Sequence, residues 1–170
     1  ESAVKANAVG VDINRKSKKK AIAILPFRGS QINRYSLMMK KLNGKELIRY
    51  SIDASLKCKK ISKIVVSTND EKALRALKKK YLFNKRILFH KREQKLSLFN
   101  TPINDTLKTC MNFLRKKNIK FDYVYSINTS YPFISENDFN NSFNILDFFK
   151  LDRVIGVLKE KNNFYFHNGK

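Results

Sequence analysis

Five short apolar, β-branched runs alternate with four helix-like stretches, and this alternation constrains the fold more than any single residue. The runs are Ala21–Phe27, Lys63–Ser67, Arg86–Phe89, Tyr123–Ile127 and Arg153–Leu158. Between them, Lys45–Lys57, Asp70–Tyr81, Pro102–Lys117 and Glu136–Phe149 read as helices. Strands that alternate with helices form βαβ units, which set parallel strands in one sheet and cover both of its faces. The expected architecture is α/β, with three layers (α/β/α) and a mostly parallel sheet.

Local chemistry supports the helices. Thr101-Pro102 offers an N-cap and then a proline where no intrahelical N–H is needed. Ser135 and Asp138 have capping-box spacing, with Asp in the place usually held by Glu or Gln. Ala73, Leu74, Leu77 and Tyr81 form an apolar stripe at helical spacing. Phe139, Phe143, Phe148 and Phe149 are expected to pack in a core or an interface. Leu42-Asn-Gly-Lys45 reads as a turn leading into the first helix.

The 170 residues suit one domain, expected over residues 20–170, and 42% of them are hydrophobic, so the chain is globular. Residues 1–19 have weak periodicity, end in a basic run and read as a tail or linker. No apolar run approaches the ~20 residues of a membrane span. With no signal-peptide pattern either, cytoplasmic residence is expected, without a membrane partner. Cys58 and Cys110 make neither a disulfide framework nor a C-x-x-C motif, and they read as packing residues rather than nucleophiles. The formal charge of +22 favours polyanions: nucleic acid, an anionic membrane surface or a phosphorylated small molecule. The lysines are nevertheless dispersed, mostly at helix ends and turns, where they are solvated and favoured by the helix dipole.

In open α/β sheets, ligands bind beyond the carboxyl ends of the strands. Those ends carry Arg28-Gly29-Ser30-Gln31, Thr68-Asn69-Asp70, His90-Lys91-Arg92 and Asn128-Thr129-Ser130. They are polar, basic and poor in carboxylates, which suits an anionic substrate. An arginine beside a Gly/Ser loop is a natural phosphate cradle.

These segments, in this order, resemble the sugar-acid cytidylyltransferases, which include CMP-sialic acid synthetases and the related CMP-Kdo, legionaminate and pseudaminate enzymes. Phe27-Arg28-Gly29-Ser30 is similar to the start of the family's A-R-x-x-S-K loop, and Leu42–Ile48 to its L-x-G-K-P-L-I. Val65–Glu71 resembles V-V-S-T-D-x-E, Ile127–Phe133 resembles L-Q-P-T-S-P-L, and Asp152–Val157 resembles D-x-V-V-S-V. The resemblance covers about residues 21–165. It implies a Rossmann-like nucleotide-diphospho-sugar transferase fold that couples CTP to a sialic-acid-like sugar acid and releases pyrophosphate.

It also implies roles. The backbone of Leu25, Pro26 and Phe27 would recognise cytosine. Arg28, the catalytic candidate, would hold the triphosphate together with Gly29, Ser30 and Gln31. Arg92, placed like the arginine of R-P-x-E-L, would add a nucleotide contact, and Asn128 would face the sugar. Mg2+ would bridge the phosphates, though its carboxylate ligands are not in this sequence, and the partner would be a second copy in a homodimer.

The sequence departs from the family at Leu37-Met38, where the loop carries Lys-Asn, at Asn69 in place of Asp, and at Phe99 in place of another Asp. Lys170 falls inside what resembles the dimerisation insertion. Two alternatives therefore stand beside the enzyme: a catalytically impaired nucleotide-binding relative and a basic α/β domain that binds nucleic acid. Ser30 reads equally as turn chemistry. Asn128 also reads as a cap or turn residue, and Asp70-Glu71 as the start of a helix.

Overall fold

The computed structural model describes residues 19–30, 32–98 and 100–157. Six strands and four helices follow in order: β1 (Ala21–Pro26), β2 (Lys41–Leu42), β3 (Lys45–Glu46), α1 (Leu47–Lys57), β4 (Ile61–Thr68), α2 (Glu71–Lys80), β5 (Ile87–Lys91), α3 (Ile103–Lys116), β6 (Tyr123–Ser126) and α4 (Glu136–Phe149). A 3-10 turn, Gln94–Ser97, lies between β5 and α3. Residues 1–18 lie outside the described residues.

The sheet runs β5-β4-β1-β6 with every pairing parallel. Strand β1 sits at its centre: Ala23 pairs with Ile64 of β4 on one side and with Tyr125 of β6 on the other. Because successive side chains point to opposite faces, Ala21, Ala23, Leu25, Ile64 and Val66 join one apolar cluster. Ile22, Ile24 and Val65 join a second. The first cluster is closed by Ile48 and Ile52 of α1, Leu77 of α2, and Phe139 and Phe143 of α4; the second by Cys110 and Leu114 of α3. The result is the expected α/β/α sandwich. Both cysteines are free and buried in it.

The apolar stripe of α2 is buried at Ala73, Leu74 and Leu77. The capping box of α4 forms as read, with Ser135 and Asp138 exchanging side-chain and backbone hydrogen bonds. Asn43 (φ 48°) and Gly44 (φ 75°) make a tight two-residue connection between β2 and β3, and both left-handed conformations suit an Asn-Gly pair.

Three details differ from the sequence reading. Pro102 occupies the N-cap position of α3, and the Thr101 hydroxyl instead donates to the Lys95 carbonyl at 3.0 Å. Phe148 and Phe149 are exposed and stack edge-on against each other, while Phe139 and Phe143 are in the core. The run expected as a fifth main strand over Arg153–Leu158 is extended coil through Val157, with Ile155 and Val157 exposed, and Leu158 lies outside the described residues. An apolar run becomes a strand only where a sheet edge accepts its backbone bonds, which local pattern does not report.

Among the described residues, no helix is long and apolar enough to cross a membrane.

Candidate active site

The chain passes from β1 to β4 to β5 in one direction, with α1 and α2 on one face. It then returns through α3, on the other face, to place β6 on the far side of β1. The strand order reverses between β1 and β6. Such a reversal marks the crevice, beyond the carboxyl ends of the strands, where ligands usually bind in sheets of this kind. Residues 26–30 and 127–130 border it.

The loop after β1 is pinned almost atom by atom. The Thr129 hydroxyl donates to the Pro26 carbonyl at 3.1 Å, which ties the β1 end to the β6 end. Phe27 N–H donates to the Ser67 carbonyl at 3.0 Å, and the Phe27 carbonyl accepts from Arg92 Nη2 at 2.7 Å. Gly29 N–H donates to Asn69 Oδ1 at 3.1 Å. Arg28 Nε and Nη2 donate to the carbonyls of Ser97 and Leu98 at 2.8 and 3.0 Å. Gly29 is required here: a Cβ at this position would lie 2.6 Å from Asp70 Cβ. Asp70 itself caps α2 by accepting from Ala73 N–H at 3.0 Å.

Arg92 is the hub beneath this loop. It is 4% exposed, and its Nε donates to Ser97 Oγ at 2.9 Å while Nη1 lies 3.5 Å from Thr106 Oγ1. Burial, and then the nearby Arg28 charge, lower its pKa to about 10, so it remains protonated at neutral pH. His90 lies alongside, with Nδ1 3.0 Å from Ser67 Oγ. Burial and the Arg92 charge push the His90 pKa down and so favour the neutral ring. Burial pushes the Cys110 thiol up, which keeps this enclosed sulfur protonated and inert.

The structure gathers Leu25, Pro26, Phe27, Arg28, Gly29, Ser30, Arg92 and Asn128 at one end of the sheet. Leu25 and Phe27 are buried, Arg28 is half-buried and Ser30 is exposed. Gln31 lies outside the described residues. Asn128 is exposed, and its Oδ1 accepts from Ser130 N–H at 3.0 Å in an Asx turn. Arg92 reaches the loop through the Phe27 carbonyl. Leu37 is 54% exposed, whereas Met38 is only 9% exposed and belongs to the core. Phe99 lies outside the described residues.

Sequence reasoning placed Asn69 and Thr129 at strand ends without their role as supports of this loop, and it missed Ser67, Ser97 and Thr106. Their signal was present as small polar residues at strand ends, but their partners are brought close only by the fold. Beside the loop, beyond β4 and β5, a cleft of about 390 Å³ is walled by Asn69, Arg75, Lys91 and Arg92 among others.

The profile of one protein family, described as Cytidylyltransferase, matches residues 38–148, about two-thirds of the chain. The chain belongs to the cytidylyltransferase family. Among solved structures it is similar to CMP:2-keto-3-deoxy-manno-octonic acid synthetase complexed with CTP, at 17% identity and a TM-score of 0.56. That likeness covers 76% of this chain and 48% of the synthetase, and it shows a shared fold. A second similarity is to 4-diphosphocytidyl-2C-methyl-D-erythritol synthase from Anaerococcus prevotii DSM 20548, at 21% identity, a TM-score of 0.48, and coverage of 75% and 51%. The chain thus spans about half the length of these two structures. No curated protein matches it.

The family match begins at Met38 and so leaves out β1 and the loop after it. What the cytidylyltransferase match does cover is Asn69, Arg92 and Asn128, which border or support that loop.

Among the described residues, no group of three or more His, Cys, Asp or Glu side chains is placed to hold a metal. The acids that line the cleft beyond β4 and β5 are engaged: Asp70 caps α2, Glu71 pairs with Lys91 and Arg75, and Glu93 pairs with Lys95. These residues do not make a magnesium site by themselves.

Proposed function

We propose that the β1–β6 crevice binds CTP and that the chain carries the nucleotide half of a sugar-acid cytidylyltransferase. In that reaction a sugar hydroxyl attacks the α-phosphorus, a new P–O bond forms, the bond to the β-phosphate breaks, and pyrophosphate leaves. The observation that carries the reading is the pinned loop at Pro26–Gly29, which is preorganised at the switch point of a sheet whose family is shown. Such chemistry depends on positioning and charge stabilisation, and a fixed loop reduces reorganisation during reaction.

The site roles come from the family resemblance, and this placement is compatible with them. The carbonyls of Pro26 and Phe27 each retain a second lone pair, suited to accept from the cytosine amino group. Arg28 exchanges a neutral carbonyl partner for a phosphate oxygen, which adds the attraction of opposite charges and allows a two-pronged contact. Ser30 and Gln31 continue the phosphate loop, and Asn128 meets the sugar acid. Arg92 acts by holding Phe27 and Ser97 in place. Magnesium belongs to the proposal through the resemblance alone, and no step here runs through it. A homodimer belongs to it on the same basis.

One observation favours a second reading, a nucleotide binder with impaired catalysis. Leu37 is apolar where the family carries a cation, and Met38 is committed to the core. The two readings separate in one experiment. CTP with magnesium should raise the melting temperature under either. Pyrophosphate release on adding sialic, Kdo-type or related sugar acids supports the enzyme, and a thermal shift without release supports the impaired binder. No shift with CTP overturns both.

A further inference from the structure

Leu82 and Phe83 are 69% and 93% exposed at the tip of the turn between α2 and β5. This turn lies at the amino end of the sheet, opposite the crevice. It is anchored firmly. Arg86 donates to the carbonyls of Leu56 and Cys58 at 2.7 and 3.0 Å and also to that of Ile61, fastening the turn to the connection between α1 and β4. The Tyr81 hydroxyl donates to Asp53 at 2.7 Å, and Lys80 pairs with Glu46 at 3.1 Å. With its base held this way, the turn presents two adjacent large apolar side chains to solvent.

Cations surround them. Lys57, Lys59, Lys78, Lys79 and Lys85 are exposed on the same two turns. No Asp or Glu occurs between Asp53 and Asp70 or between Glu71 and Glu93. Lysine at helix carboxyl ends is favoured by the dipole, so the charge alone argues nothing. Its combination with the Leu82-Phe83 tip does.

An exposed apolar pair flanked by lysines complements an anionic phospholipid surface. The apolar side chains enter the boundary between headgroups and acyl chains, and the lysines stay at headgroup depth. Nucleic acid would use the lysines and could stack on Phe83, but it would leave Leu82 exposed. We propose that this rim, at the amino ends of β4 and β5, docks on anionic membrane surfaces with Leu82 and Phe83 inserted. The contact lies on the surface and spans nothing, and it departs from the sequence-based expectation of no membrane partner. It would leave the crevice facing away from the bilayer. The inference stands independently of the proposed CTP chemistry.

The test is co-sedimentation of the chain with phosphatidylcholine vesicles, with and without about 30% phosphatidylserine. Binding should require the anionic lipid. It should fall at least about tenfold in Lys78→Glu/Lys79→Glu/Lys85→Glu, and several-fold in Leu82→Ser/Phe83→Ser at a salt concentration that screens the lysines. Circular dichroism confirms that these surface variants fold. The chain has no tryptophan, so Phe83→Trp provides a single indole whose emission should shift to the blue with anionic vesicles only. Equal binding to neutral vesicles, no binding to either, or an unshifted indole would overturn the proposal. So would a single-stranded oligonucleotide that displaces the chain from vesicles and binds Leu82→Ser/Phe83→Ser undiminished, since that outcome assigns the face to nucleic acid.

Discussion

Asn69 Oδ1 accepts the Gly29 N–H at 3.1 Å, joining the end of β4 to the loop that follows β1. The V-V-S-T-D-x-E motif that this segment resembles has Asp at this position. Asn keeps the acceptor and removes a negative charge from the rim of a crevice read as holding a triphosphate. Asn69→Ala should cost about 1 kcal/mol of stability and weaken CTP binding by loosening the loop. Asn69→Asp should melt near the parent temperature yet bind CTP less well, because the carboxylate repels phosphate. Thermal melts across a CTP titration report both effects, and unchanged CTP affinity in Asn69→Ala would sink the account of a positioned loop.

Gly29→Ala places a methyl group 2.6 Å from Asp70 Cβ, which cannot retreat without disturbing the α2 cap. The overpacking should cost about 1–3 kcal/mol and displace the loop, so CTP affinity falls too. Gly44→Ala is the control. Its φ of 75° makes the substitution strained, but nothing lies within 4 Å. It should lower the melting temperature through a cost of about 1 kcal/mol and leave CTP affinity intact. Equal nucleotide effects in the two variants would count against a special role for Gly29.

Arg92→Lys retains the charge but not the fork. One ammonium cannot reach Phe27 O, Ser97 Oγ and Thr106 Oγ1 together, and buried acceptors are left unpaired. A loss of about 2 kcal/mol or more is expected in chemical denaturation. A nearly neutral result would mean that these contacts contribute little.

Glu46 governs an acid-sensitive part of stability. Burial alone would raise its pKa, but its own backbone N–H, Lys80 and Arg49 outweigh that and hold the carboxyl at about 2, against an ordinary 4.5. A depressed folded-state pKa stabilises the protein above the unfolded value. That contribution is lost as pH falls through 4.5 towards 2. Glu46→Gln should therefore cost about 2 kcal/mol at neutral pH and flatten the stability profile in the acid window. Parallel acid limbs in parent and variant would refute this assignment.

Leu37 and Met38 should respond oppositely to the Lys-Asn pair of the loop motif they resemble. Leu37 is exposed, so Leu37→Lys should preserve stability and tighten CTP binding in a salt-dependent way. Met38 is a core residue, so Met38→Asn should cost about 2–4 kcal/mol. Comparing melting temperatures with CTP titrations separates the two. A Leu37→Lys variant with unchanged affinity would show that this position lies away from the phosphates.

Much of the architecture was legible in the chain. β1 and β4 show apolar residues buried towards both faces, as parallel strands covered on two sides should. The start of α4 was readable because Ser135 and Asp138 lie within one turn. The apolar run Arg153–Leu158 reads as a strand, yet through Val157 it pairs with none, because pairing depends on contacts remote in sequence and not on the run itself. Arg92 was found as a site residue, but the direction of its guanidinium depends on Thr106 and Phe27, which are remote in sequence.

The sequence by itself determined the βαβ alternation, the two-sided burial of the central strands, and the cluster of Arg28, Gly29, Asn69 and Asn128 at strand ends. Those properties follow from side-chain period and local backbone preference. Only the tertiary structure decided that β6 returns beside β1 and reverses the strand order there. It also decided that Arg92 supports the loop from beneath and that Leu82 and Phe83 crown a basic rim at the other end. Each of these depends on contacts between distant segments, whose geometry exists only once the sheet has assembled.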